Sequence, residues 1–178
     1  HDRARRIVDK EFGDAVETSY VESVTEGSDS QRVIRNLSAK GHDLIFTTSF
    51  GYMNPTLRVA RQFPHVKYEH ATGYKTADNM GNYQARMYQA RYLSGMIAGA
   101  MSETDTLGYV AAFPIPEVLR GINAFTLGAR ETNPDANVRV SWINTWHDPP
   151  KEREAADSLI RQDADVLTMH ADSPAVIQ

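Results

Sequence analysis

A chain of 178 residues with 19 basic and 23 acidic side chains, a net charge of -4 and 41% hydrophobic residues is composed like a globular protein that buries a core, not like a disordered segment. The mild acidity and the lack of any basic block argue against nucleic acid or an anionic membrane as the main partner, and a small neutral ligand fits better. With no cysteine, disulfides, thiolate zinc sites and cysteine nucleophiles are excluded.

The chain opens at His1 without an initiator Met or an apolar run of membrane-spanning length, and stops at Gln178 just after Ser173-Pro174. A piece of a longer mature protein is therefore expected. Residues Asp2 to Glu11 set Ala4, Ile7 and Val8 on one face at helical spacing, the pattern of an amphipathic helix. After Gly13, the Val-, Thr- and Tyr-rich run Ala15 to Val24 predicts a strand. A helix from Ser28 to about Lys40 follows, with Gly41 placed to stop it. Asp43 to Thr47 predicts a strand ending in the small-residue turn that carries Ser49, Phe50 and Gly51, and a helix begins near Asn54. Val66 to Glu69 predicts a strand that ends at His70 and the turn Ala71 to Gly73.

A long helix is expected from about Tyr83 to Met101, with Tyr88, Tyr92, Met96 and Ala100 on one face. Then come a buried strand in TLGYVAAF, ended by Pro114 and Pro116, and a helix from about Glu117 to Thr132 whose inner face is Val118, Ile122, Phe125 and Ala129. Val138 to Trp142, Lys151 to Gln162 and Asp165 to Met169 complete the series as strand, helix and strand. Strand and helix alternating in this way imply an α/β fold with doubly wound parallel sheets. The polar break at Ser102 to Asp105 divides an N-terminal lobe, 1–102, from a C-terminal lobe, 103–178, each expected to be incomplete.

No Gly-rich dinucleotide or phosphate loop, no nucleophile elbow and no HExxH helix is present. The histidines lie on different elements at spacings that match no local zinc motif, so no metal site, cofactor or catalytic residue is expected. The informative residues fall at strand ends: Phe50 and Gly51, His70, Trp146, His170 and Asp172. In an open parallel sheet, ligands bind outside the carboxyl ends of the strands. Two lobes facing one another would bring aromatic rings from both sides onto a flat ligand, with His and Asp at its edge. Taken singly, Phe50 also reads as a core plug, and His70 or Asp172 as a cap or turn residue. Arg86 and Arg91 read as surface or helix-packing cations. An α/β enzyme acting on nucleosides or sugars, with His70, His170 and Asp172 as acid and base, and a ligand-sensing receptor or regulator domain are the alternatives.

The segments FTTSFGY at 46 to 52, EHATGYKTADN at 69 to 79, YQARYLSGMIAG at 88 to 99 and GYVAAFPIPEVLRGINAFTLGARETNP at 108 to 134 carry a resemblance, joined by WHDPPKEREAA at 146 to 156 and HADSPA at 170 to 175. They resemble the basic-membrane-protein family, substrate-binding proteins of ABC importers of the purine and purine-nucleoside type. The resemblance implies a type I periplasmic-binding fold of two Rossmann-like lobes with a cleft. It also implies a monomer that captures a purine in the periplasm or outside the cytoplasm, in a family that includes lipid-anchored members, and delivers it to a membrane permease. Trp146 stands where relatives present a stacking ring. His70 stands where nucleoside-binding relatives have an Asp, a departure that favours a free base such as adenine or hypoxanthine over a nucleoside.

Overall fold

The computed structural model describes residues 1–178, and the chain falls into two compact units, His1–Ala85 and Arg86–Gln178. In the first unit the elements run α1 (Asp2–Phe12), α2 (Ser28–Ala39), β1 (Leu44–Thr47), α3 (Met53–Ala60), β2 (Lys67–Ala71) and β3 (Met80–Tyr83). The three strands form one parallel sheet in the order β1-β2-β3. Strand side chains alternate between faces, so Ile45 and Tyr68 turn inward with Met80 onto Ile34, Met53 and Val59 of the helices. Tyr68 keeps its buried hydroxyl satisfied through Ser38 Oγ at 2.6 Å. Gly41, at φ 89°, takes the left-handed conformation that ends α2 where expected.

The run from Ala15 to Val24 does not form the expected strand. Gly13–Ala15 is a 3-10 turn, and the run beyond it pairs with no strand. A strand exists only when its backbone groups find a ladder partner. Here Val16, Tyr20 and Val21 stay exposed, so their β propensity has nothing to act on. Strand β3 was not expected, because Gly81 and Asn82 give it little β character; the helix that follows starts at Met87 instead of Tyr83.

The second unit runs α4 (Met87–Met101), β4 (Thr106–Ala111), α5 (Pro116–Thr132), β5 (Asn137–Trp142), α6 (Pro149–Ile160) and β6 (Val166–His170). Its sheet is parallel with the order β5-β4-β6, and all six residues of the central strand β4 are buried. Leu107, Tyr109 and Ala111 pack on Val118, Ile122, Phe125 and Ala129, the inner face expected for α5. Val110, on the opposite face, packs on Ala155, Ala156 and Leu159 of α6. Helices therefore cover both faces of this sheet, as parallel sheets require.

Helix α4, expected in the first lobe, belongs to the second unit, and the expected boundary at Ser102 to Asp105 lies inside that unit. Its buried positions are Gly95, Ala98 and Gly99, with Ala100 exposed. A Cβ at Gly95 would come to 3.0 Å from Ala129 N, and one at Gly128 to 3.1 Å from Met96 N. The two helices thus meet backbone to backbone through glycines, a contact that a count of large apolar residues does not reveal.

Candidate functional site

In the first unit the polar residues gather at the carboxyl ends of the strands. Thr47 of β1, His70 of β2 and Asn82 of β3 are register partners in sequence across the sheet, so their side chains share one face. His70 is fully buried, inside β2 and not past its end as expected, because the strand continues to Ala71. Its Nδ1 lies 2.8 Å from Thr47 Oγ1, and Thr47 Oγ1 lies 3.1 Å from Thr56 Oγ1, which donates to Tyr52 O at 2.7 Å. Burial pulls the His70 pKa below the usual imidazole value, a hydrogen bond to the Thr47 backbone opposing. A buried neutral imidazole results, with one of its two nitrogens already engaged.

Phe50 and Gly51 lie in the 3-10 turn after β1. The Phe50 ring packs partly buried on the unit's core and stands 6.4 Å from the Tyr74 ring. Tyr74, which follows β2, is 61% exposed, so its ring meets solvent beside this turn, and its N–H donates to Met53 Sδ. The carboxylate of Glu26 closes the same turn, accepting from Ser49 Oγ at 2.5 Å and from Gly51 N at 3.1 Å.

In the second unit Trp146, His170 and Asp172 come together. The Trp146 ring stands edge-on to Phe113 at 5.3 Å and 6.4 Å from the His170 ring, and Asp172 N donates to Trp146 O at 2.7 Å. His170 is the last residue of β6. Its Nε2 is 3.9 Å from Glu117 Oε1, while burial and then the Arg91 charge lower its pKa to about 4. Arg91 lies over the Tyr109 ring at 5.7 Å and reaches Thr168 Oγ1 at 3.3 Å. It acts as a packing cation behind the site. Burial, followed by the Glu152 carboxylate, raises the Asp172 pKa, His147 opposing. An imidazole held neutral beside an aromatic ring can exchange one hydrogen bond with a ligand without adding charge.

Glu152 escapes the sequence reading. It is fully buried in α6, accepts from Asp148 N at 3.1 Å and from Ser173 Oγ at 2.6 Å, and so ties the turn after β5 to the turn after β6. A signal existed: Asp148 caps α6 through Lys151 N, two prolines occupy the first turn, and a Glu four residues on resembles a capping box. Tyr74, just after the turn Ala71 to Gly73, and Asn82, in the unexpected strand β3, were missed as well.

The model of one protein family, described as ABC transporter substrate-binding protein PnrA-like, matches residues 1–178. The chain belongs to this family. A purine-binding protein of Brucella abortus is 54% identical over all 178 residues, which make up 51% of its own length. A protein of Haloferax volcanii, named provisionally as an ABC transporter glucose-binding protein, is 50% identical over 178 residues, 45% of its length. Among solved structures, a solute-binding protein of an ABC transporter system from Aeropyrum pernix superposes with a TM-score of 0.78 over 94% of this chain and 48% of the other, at 22% identity. That likeness is one of fold, the periplasmic-binding fold expected from the segments above. The chain spans about half the length of the relatives it matches.

Proposed function

We propose that this chain is part of the extracytoplasmic solute-binding component of an ABC importer, which captures a purine and hands it to a membrane permease without altering it. The observation that carries this reading is the 54% identity, over every residue of the chain, with a protein named as purine-binding. The site chemistry supports it: a half-buried indole at Trp146, an exposed phenol at Tyr74, and two neutral imidazoles at strand ends, His70 buried and His170 partly buried. Flat aromatic faces suit a planar heterocycle, and single neutral donors or acceptors suit its edge. Phe50, Gly51, His70, Trp146, His170 and Asp172 are the proposed ligand-facing set, acting as a monomer and without cofactor. A free base is preferred over its nucleoside, because no carboxylate stands at His70 to accept from ribose hydroxyls.

A hexose is the second reading, favoured by the 50% identity with the Haloferax volcanii protein. Isothermal titration of the full-length protein with adenine, hypoxanthine, adenosine and glucose, followed by an assay for product, separates the two. Binding of a purine base without turnover supports the proposal; binding of glucose alone, or release of a product, overturns it.

A further inference from the structure

Four aromatic side chains of the first unit are more than half exposed: Phe12, Tyr20, Phe46 and Tyr74. Phe12 ends α1, Phe46 lies within β1 with its ring edge-on to Tyr83, and the Arg5 guanidinium covers the Tyr20 ring at 5.1 Å. Of the four, only Tyr74 stands past the carboxyl end of a strand, in the segment that joins β2 to β3. That is the end of a parallel sheet at which ligands bind.

The backbone around Tyr74 is held from several sides. Thr72 N donates to Tyr83 O at 2.9 Å, and Asn82 Nδ2 to Lys75 O at 2.8 Å, which ties the turn to β3. Tyr74 N donates to Met53 Sδ at 3.3 Å, and Lys75 Nζ to Asn54 Oδ1 at 2.8 Å, which ties it to α3. Gly73 is pressed onto the sheet, since a Cβ there would stand 2.2 Å from His70 Cδ2 and 2.8 Å from Asn82 Oδ1. Among residues 72–75 only Tyr74 is exposed. A turn fixed in this way holds a large ring in solvent, where burying it would be favourable, and rigid placement is what a binding contact requires.

Phe50 plays the complementary part. Its ring packs partly buried on the core of the unit, 6.4 Å from the Tyr74 ring at an interplanar angle of 42°. The Tyr74 ring therefore leans on a fixed aromatic neighbour and keeps most of its own surface free.

We infer that Tyr74 is the ring with which the first unit stacks on a planar ligand, Phe50 being the support behind it. A Tyr side chain has only two torsions to fix, so a wide contact face is ordered at little entropic cost. The ring face carries the contact and the hydroxyl does not, because stacking draws on the π-system and its area.

The inference rests on the purine reading, and titration of the full-length protein with adenine and hypoxanthine keeps the two apart. The unaltered protein, Y74A, Y74L and Y74F are compared, with melting temperatures measured in parallel. Y74A and Y74L should bind about tenfold more weakly or worse, while Y74F, which keeps the ring, stays within about threefold. All three should melt within about 3 °C of the unaltered protein, because an exposed side chain contributes little to stability. Y74A or Y74L binding as tightly as the unaltered protein overturns the inference while the purine reading stands. An equal loss in Y74F overturns it also, by placing the contact at the hydroxyl. A loss of affinity that comes only with a lowered melting temperature makes Tyr74 a structural residue and overturns it too. If the unaltered protein binds neither base, the functional reading fails and takes the inference with it.

Discussion

Lowering the pH from 7 to 5 should destabilise the second unit through His170. The folded-state pKa is about 4 against 6.5 for the free side chain, because burial and then Arg91 disfavour the imidazolium. As pH falls, the unfolded chain takes up the proton first, so the stability His170 contributes is complete above 6.5, is lost between 6.5 and 4, and falls no further below 4. One pKa unit corresponds to about 1.4 kcal/mol. Since the side chain retains 20% exposure and is partly screened, the loss from pH 7 to 5 is about 1 to 2 kcal/mol. The groups that face the ring are Arg91 from α4, Glu117 from α5, Tyr109 from β4 and Trp146 beyond β5. Urea unfolding of the full-length protein and of H170Q at pH 7 and 5 isolates the effect, because carboxylates contribute equally to both. The unaltered protein should lose about 1 to 2 kcal/mol more than H170Q over this interval. A difference below about 0.3 kcal/mol would show that the imidazole titrates freely in the folded chain, and would remove it from the buried face of the sheet.

W146A should weaken purine binding at least tenfold with little change in melting temperature, as measured by titration and calorimetry; unchanged affinity would make the ring a partner of Phe113 only. E152A removes an acceptor from both Asp148 N and Ser173 Oγ in a fully buried setting, and a loss of about 2 to 4 kcal/mol is expected from chemical denaturation. Its affinity for ligand should fall too, since the turn that carries Trp146 loses its tether. G95A places a methyl against the backbone of α5 and should cost about 1 to 3 kcal/mol; a neutral result in the same assay would mean the helices separate at no cost. Base affinity should decline on acidification only below the unperturbed imidazole range near pH 6.5, because burial depresses the His70 pKa; a decline centred at or above 6.5 would mean that His70 meets solvent in the complex.

Alternation of strand and helix was legible along most of the chain, because apolar periodicity and stop signals agree there. The α5 face of Val118, Ile122, Phe125 and Ala129 is buried as its spacing requires. Where the reading failed, the deciding contact was nonlocal. The run Ala15 to Val24 has strand composition but no ladder partner, and β3 has a partner but little strand composition. Helix α4 was assigned by its large residues, whereas Gly95, Ala98 and Gly99 determine what it packs on. The site followed the same division. Strand-end positions were readable from turns, so Trp146, His170 and Asp172 were found as a group. The supports were not: Glu152 and Asn82 take their roles from bonds to Ser173 and Lys75, which no spacing along the chain encodes.

The identity of the molecule that the full-length protein retains through native purification tests the central claim most directly. Denaturing the purified protein, extracting the supernatant and analysing it by ultraviolet absorbance and mass spectrometry should give a purine, with the free base in excess over its nucleoside. A hexose in stoichiometric amount and no purine would contradict the account.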